Sequence, residues 1–322
     1  MPFDRAVIIA NPAARGCTDD AVTQAEALCR QRVGEVSVAW TAEPEHATKL
    51  AAESISDTPT AVLAVGGDGT AREVVHGLVS RDRRQDATPP GDLAAVAMFI
   101  VPAGTSNSCY RSFWGEQAWP AALDAALTRP ERYTRLLDLA LLAENGKLVL
   151  AGAATGFPPQ AVHNAAALTH ITGRAKYETA LVRLAATYQP YPGRVLVDGV
   201  VIHSGPTMLA NVGGSRYRGG QFEVLPHSVV DDGLLDVCVI GGEHSPAEML
   251  ALTRTGEHLI RSGVVYARGR RITLERTDGR PVWFEHDGEV LPETGGSYTL
   301  EVVPAAVPML VGAAADRGLR SR

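Results

Sequence analysis

Ala61-Val62-Leu63-Ala64-Val65-Gly66-Gly67-Asp68-Gly69-Thr70-Ala71-Arg72-Glu73-Val74-Val75-His76-Gly77-Leu78 is the stretch that decides the fold. It opens on an apolar run short enough for a buried strand. The glycines Gly66, Gly67 and Gly69 follow. Then Val74, Val75 and Leu78 share one helical face, with Glu73 in the first turn. A strand that turns tightly on glycines into a helix aims free backbone N–H groups at whatever lies over the turn, and phosphate fits there. Asp68 is the odd member. A carboxylate in such a loop repels phosphate unless it holds Mg²⁺ or accepts a proton from an attacking hydroxyl. A plain tight turn is the bland alternative. Neither G-x-x-x-x-G-K-[ST] nor G-x-G-x-x-G is present, and the chain has only the lysines Lys49, Lys147 and Lys176.

Upstream and downstream, strands alternate with helices. Strands are expected at residues 5–10, 35–40, 61–65 and 93–101. Helices are expected from a Thr18 or Asp19 cap to about Arg32, and from Pro44 to about Ser56. Residues 81–92, with Pro89-Pro90-Gly91, read as a loop. This alternation predicts an α/β domain with an open, mainly parallel sheet and helices on both faces. Ligands of such sheets bind beyond the carboxyl ends of the strands. Three of those ends carry turn chemistry: Asn11-Pro12-Ala13-Ala14-Arg15-Gly16, the Gly-Gly-Asp-Gly-Thr turn, and Pro102-Ala103-Gly104-Thr105-Ser106-Asn107-Ser108.

From Thr134 the pattern changes. Apolar runs flank Asn145-Gly146, Asp198-Gly199 and Asp278-Gly279, which are hairpin signals because both turn positions favour positive φ. They predict a mainly antiparallel, β-sandwich-like second domain. Helices are expected at 160–168, 175–188 and 245–261. The division is residues 1–133, a nucleotide-binding α/β domain, and 134–304, a β-rich acceptor and metal domain. The tail 305–322 is expected to pack back on the first domain. Two domains imply a cleft between them.

Composition bounds the rest. The 322 residues are 45% hydrophobic and 20% charged, those of an ordinary globular protein. Net charge of −6 gives no footprint for nucleic acid or for an anionic membrane. Cys17, Cys29, Cys109 and Cys238 form no C-x-x-C pair and read as free thiols in a reducing compartment. The N-terminus lacks signal-peptide character. The apolar stretch 302–315 contains Pro304 and Pro308 and is too short to span a bilayer. These readings lead us to expect a cytoplasmic protein with at most peripheral membrane contact, no nucleic-acid partner, and a homodimer as an open alternative.

The motifs together resemble one family. Gly-Gly-Asp-Gly-Thr followed by Glu73-Val74-Val75-His76-Gly77-Leu78 is similar to the diacylglycerol kinase catalytic domain, whose family includes sphingosine and ceramide kinases and bacterial lipid kinases and is distantly related to NAD kinases. Asn-Pro-Ala-Ala-Arg-Gly resembles its first loop and Pro-Ala-Gly-Thr-Ser-Asn its third. The resemblance implies ATP held by Asn11, Arg15, Gly16, Thr41, Gly67, Asp68, Gly69, Thr70, Glu73, Gly104, Thr105 and Asn107. There are departures: Arg72 stands where the family commonly has Asn, and Ser108 where it often has Asp. Asn211-Val212-Gly213-Gly214, Leu225-Pro226 and Asp232-Gly233-Leu234-Leu235-Asp236-Val237 resemble a later run, implying Mg²⁺ at Val229, Asp232 and Leu234. Asp287-Gly288-Glu289 resembles the family's late D-G-E, implying Glu289 as proton acceptor and Asp287 as organiser of metal and water. Asp287-Gly288-Glu289 is expected to face the Gly-Gly-Asp-Gly-Thr loop across the cleft. With no basic neighbour within several residues, its carboxylates are expected to need an external partner if they are shielded from water; a solvated hairpin turn is the alternative. Catalysis is thus expected at Asp68, Glu289 and Asp287. The implied reaction is transfer of the γ-phosphoryl group of ATP, with Mg²⁺, to a hydroxyl of a diacylglycerol- or sphingoid-like lipid. A soluble hydroxylated metabolite as acceptor, and a silent nucleotide-binding module, stay open.

Overall fold

The computed structural model describes residues 2–82, 95–291 and 295–315. Most of the expected loop 81–92, the start of the expected fourth strand and the end of the tail lie outside the described residues. Contacts divide the chain into two compact units: Met1–Asp138 with Ala305–Arg320, and Leu139–Pro304.

The first unit runs β1 (Arg5–Ala10), α1 (Asp19–Arg30), β2 (Glu35–Trp40), α2 (His46–Glu53), β3 (Thr60–Gly66), α3 (Asp68–Asp82), β4 (Val96–Pro102), α4 (Ser108–Trp114), α5 (Trp119–Thr128) and α6 (Pro130–Tyr133) into β5 (Thr134–Leu142). Its sheet is parallel in the order β2-β1-β3-β4. The returning segment lies parallel to β4, with Met309 opposite Met98. Strand β3 is buried at every position, as befits a strand covered on both faces. Helix α1 packs on α5, and α2 on α3. Gly77 permits the α2–α3 pairing: a Cβ there would lie 2.2 Å from the Thr48 carbonyl oxygen. Thr18 caps α1 by accepting from the Ala21 N–H. Helix α2 starts at His46, not in a first turn at Pro44, because Glu45 sits in the left-handed region at φ 64° and cannot continue a helix backwards. Residues 108–133 hold three helices that the sequence pattern does not mark. Trp114 anchors them, packing on Phe99 and Tyr133 and donating its indole N–H to the Leu310 carbonyl at 3.1 Å.

The second unit takes up β6 (Lys147–Val149), β7 (Ala153–Gly156), α7 (Phe157–Ala166), α8 (Arg174–Ala185), β8 (Tyr191–Val197), β9 (Val200–Gly213), β10 (Tyr217–Arg218), β11 (Phe222–Glu223), β12 (Leu235–Gly241), α9 (Pro246–Leu252), β13 (Val264–Gly269), β14 (Arg271–Arg276), β15 (Phe284–His286), β16 (Glu289–Val290) and the part of β17 (Ser297–Leu310) up to Pro304. Its pairings are antiparallel, in the order β16-β15-β7-β9-β8-β14-β17, with β12 between β9 and β13. Long β9 serves two neighbourhoods: its first half pairs with β8, its second half with β7 and β12. Val212, Val237, Ile272, Leu274, Phe284 and Leu300 form the core of this β layer.

The three hairpin signals had different outcomes. At Asp198-Gly199 both residues have positive φ, 49° and 82°, and β8 pairs directly with β9. At Asn145-Gly146 only Gly146 is positive, and β5 pairs with β6 across a longer turn closed by the Gly146 N–H on the Leu142 carbonyl. At Asp278-Gly279 no hairpin forms. Strand β14 pairs with β8 and β17, while β15 pairs with β7 and β16. Only Gly279 has positive φ, and Pro281 has no N–H to give to a ladder. The expected helix 245–261 is cut as well: α9 stops at Leu252, and Gly256 at φ 76° leads into a separate 3₁₀ turn, Glu257–Ile260.

Candidate active site

In the first unit, register brings four strand ends to one edge. Ala10 pairs with Trp40 and Val65, and Val65 with Val101. The loops that leave those ends are wired to one another. The Asn11 side-chain amide donates to the Thr70 hydroxyl at 2.9 Å. The Gly16 N–H donates to the Ala103 carbonyl at 2.8 Å, and the Thr41 N–H to the Ala10 carbonyl at 2.9 Å. Gly67 and Gly104 touch backbone to backbone: a Cβ on Gly104 would lie 2.3 Å from Gly67 Cα. Asn107, at φ 50°, folds back on Gly104, accepting its N–H at 2.9 Å and donating to its carbonyl at 3.1 Å.

That fold-back leaves α4 without a cap from its own flanking residue, and Asp68 supplies one. Its two carboxylate oxygens accept the N–H groups of Ser108 and Cys109, each at 3.0 Å. The first amides of a helix need such an acceptor. Asp68 is thus engaged as a brace between two loops. An Asp68→Asn change is therefore expected to cost stability.

Three members of the set stand apart from this wiring. Arg15, Gly69 and Thr105 are exposed. Glu73 ties α3 to α2, its carboxylate accepting the Ala47 N–H at 3.3 Å and its carbonyl the Thr48 hydroxyl at 3.0 Å. Arg72 is ion-paired with Glu45 at 3.9 Å and Arg111 with Glu116 at 2.8 Å.

The second unit holds Asp287-Gly288-Glu289. Asp287, at φ 47°, accepts three backbone N–H groups, from Leu150 at 2.9 Å, Ala151 at 2.7 Å and Gly152 at 3.2 Å. Glu289 meets Lys147 at 2.9 Å. The expectation that both carboxylates lacked partners within the chain is therefore corrected. Both sets of partners come from β6 and the residues just after it, about 140 residues earlier in the sequence. Beneath the turn, partly buried Arg218 donates to Glu285 at 2.5 Å, and Glu285 accepts the Gly288 N–H at 2.9 Å. His286 is fully buried, and burial holds its imidazole below the usual pKa, against the pull of the Asp287 and Glu289 charges.

The loop read as a metal site is occupied by other contacts. One Asp232 oxygen accepts the Leu234 N–H at 3.2 Å, and the other is ion-paired with Arg268. Val229 is buried. Among the described residues no group of three or more His, Cys, Asp or Glu side chains is placed to hold a metal. The Asp232 carboxylate, engaged by the Leu234 N–H and by Arg268, does not fit a divalent ion as it stands.

Residues 5–139 match the diacylglycerol kinase catalytic domain family, and residues 151–311 match the YegS C-terminal NAD kinase beta sandwich-like domain. The chain belongs to the diacylglycerol kinase-like lipid kinase family. It is an enzyme of the kinase class. A probable lipid kinase YegS-like protein of Xanthomonas oryzae is 29% identical over 304 residues, covering 91% of this chain and 92% of the relative. One from Pseudomonas aeruginosa is 29% identical over 309 residues, covering 95% and 94%. The fold is shared with a diacylglycerol kinase crystal structure from Bacillus anthracis, with TM-score 0.69 and 20% identity over 98% of this chain and 99% of that one. In this lipid kinase-type chain, sequence reasoning missed the amides of 108–109 and 150–152, the Arg218–Glu285 pair, Lys147 and Arg268. Only Lys147 left a trace, as one of so few lysines and a neighbour of Asn145-Gly146.

Proposed function

We propose that this chain transfers the γ-phosphoryl group of ATP to a hydroxyl of a lipid of the diacylglycerol or sphingoid class. The observation that supports nucleotide binding most is Gly69. It lies in the first turn of α3, it is exposed, its φ is not positive, and a Cβ on it would meet nothing within 4 Å. The fold does not require a glycine there, and glycine in a helix costs ~1 kcal/mol against alanine. Close approach of a phosphate to the first amides of this 15-residue helix explains it.

In this reading Gly67, Gly69, Gly104 and Thr105 present backbone and hydroxyl groups to the phosphates, and Arg15 adds positive charge. Asn11, Thr70, Asn107 and Asp68 hold the loops in that shape. Mg²⁺ arriving with ATP would supply charge neutralisation at the phosphoryl oxygens. Glu289, paired with Lys147, takes the proton of the acceptor hydroxyl.

The test is labelled-ATP transfer with diacylglycerol, sphingoid, NAD and small-alcohol acceptors side by side. Labelled lipid product is expected. Labelling of only a soluble alcohol would move the acceptor class, and no turnover with any of them would leave a silent nucleotide binder. Alongside it, Gly69→Val is expected to weaken ATP binding about tenfold or more by calorimetry without lowering the melting temperature. Unchanged ATP affinity would return Gly69 to a plain turn.

A further inference from the structure

The 229–234 loop resembles a metal-binding segment, yet its carboxylate faces an arginine. Strand register sets this up. Asp236 on β12 is directly opposite Arg268 on β13. From there the guanidinium bridges two aspartates. Its Nε lies 3.4 Å from an Asp236 oxygen, and its Nη2 is ion-paired with Asp232. Asp236 is fully buried and also accepts the Tyr266 hydroxyl at 2.8 Å. The other Asp232 oxygen is taken by the Leu234 N–H.

We infer that the Arg268 guanidinium is the resident cation of this loop, and that the second unit binds no structural divalent ion at Val229, Asp232 and Leu234. A buried carboxylate such as Asp236 costs free energy to ionise unless a cation or hydrogen-bond donors compensate it. A divalent ion would meet that need through oxygen ligands. Here the charge is covalently attached and lies within ion-pair distance of both aspartates. An added divalent cation would have to displace the guanidinium or sit against it, with like charges repelling at short range. The surface beside the loop is no more welcoming to a metal: a cavity of about 340 Å³ next to Gly233 is lined by Arg270, Arg271, Glu301, Val302 and Pro304, and its one carboxylate is ion-paired with Arg271.

The inference is tested without reference to activity or nucleotide. Mn²⁺ titrated into the native protein in the absence of ATP is followed by electron paramagnetic resonance. In parallel, melting is recorded with excess Mg²⁺ and with excess EDTA. No stoichiometric Mn²⁺ site and no shift between the two melting curves are expected. A stoichiometric site that Asp232→Asn abolishes, or a melting temperature that Mg²⁺ raises in the native protein but not in Asp232→Asn, would overturn the inference. Arg268→Met is expected to melt well below Arg268→Lys, which keeps a positive charge on the aspartates. An Arg268→Met protein that melts like the native one would overturn it too, because the guanidinium would then compensate nothing. Should Arg268→Met fail to fold, the native titration decides alone.

Discussion

The Gly-Gly-Asp-Gly-Thr loop, in the first unit, and the Asp287-Gly288-Glu289 turn, in the other, share a pattern. Each sets an aspartate beside a glycine at the end of a strand. In the fold both aspartates do the same first job. Asp68 collects two backbone N–H groups at the start of α4, and Asp287 collects three from residues 150–152. The two places differ in what remains. Beside Asp68 it is Gly69, with nothing above its Cα; near Asp287 it is Glu289, which meets the half-exposed Lys147. The lesson is that the aspartates brace the loops, and the chemistry is to be sought in their neighbours.

The comparison predicts a hierarchy of effects. Glu289→Gln is expected to lower kcat by ~10²-fold or more with little change in ATP affinity, because a base acts only during transfer. Steady-state kinetics and ATP titration on the same variant check it, and wild-type kcat would dismiss Glu289. Asp287→Asn comes next. Hydrogen bonds to a charged group are each worth ~1.5–3 kcal/mol, and one of three accepted N–H groups would now face an amide NH₂, so a loss of ~2–3 kcal/mol is expected. Hydrogen exchange should speed up at Leu150, Ala151 and Gly152 in particular. Were the effect confined to kcat with exchange unchanged, Asp287 would be a chemical group and not a brace.

Asp68→Asn breaks the matching contact in the first unit, with two N–H groups at stake in place of three. A smaller loss, ~1–2 kcal/mol, is expected, with faster exchange at Ser108 and Cys109. An ordering opposite to this, Asp68 costing more than Asp287, would show that counting accepted N–H groups does not set the scale. Lys147→Met is the mildest change. The Lys147–Glu289 pair is 43% and 41% exposed, so screening by water limits its stability contribution to at most ~1 kcal/mol. Its melting temperature should hardly move, whereas the kcat profile should shift toward higher pH, since Glu289 loses a charge that favours its ionised form. A pH profile identical to wild type would separate Lys147 from the function of Glu289.

How far the sequence carried depended on range. Strand β3 and helix α3 were legible because period and glycine placement act within a few residues. The same holds for Thr18 as a cap and for Asp198-Gly199 as a turn. The Asp278-Gly279 signal misled because a turn dipeptide states only a local preference. Whether two strands meet across it depends on what else competes for their edges, and β8 and β17 had the better claim to β14. The single expected helix at 245–261 failed more locally: apolar spacing continues past Gly256 in the sequence, but the helical backbone does not.

What the sequence by itself determined is the class of fold and the family: an alternating half, an antiparallel half, and an ordered set of glycine and aspartate motifs between Asn11 and Glu289. These follow from short-range sterics, hydrophobic period and the need of a phosphate-facing turn for residues without side chains. Only the tertiary structure decided who partners the carboxylates. Asp68 meets amides 40 and 41 residues on, Glu289 meets Lys147 from 142 residues earlier, and Asp232 meets Arg268. Such partners carry no mark in local sequence, because a charge or an amide compensates by distance in space, and strand register alone sets which residues come within reach.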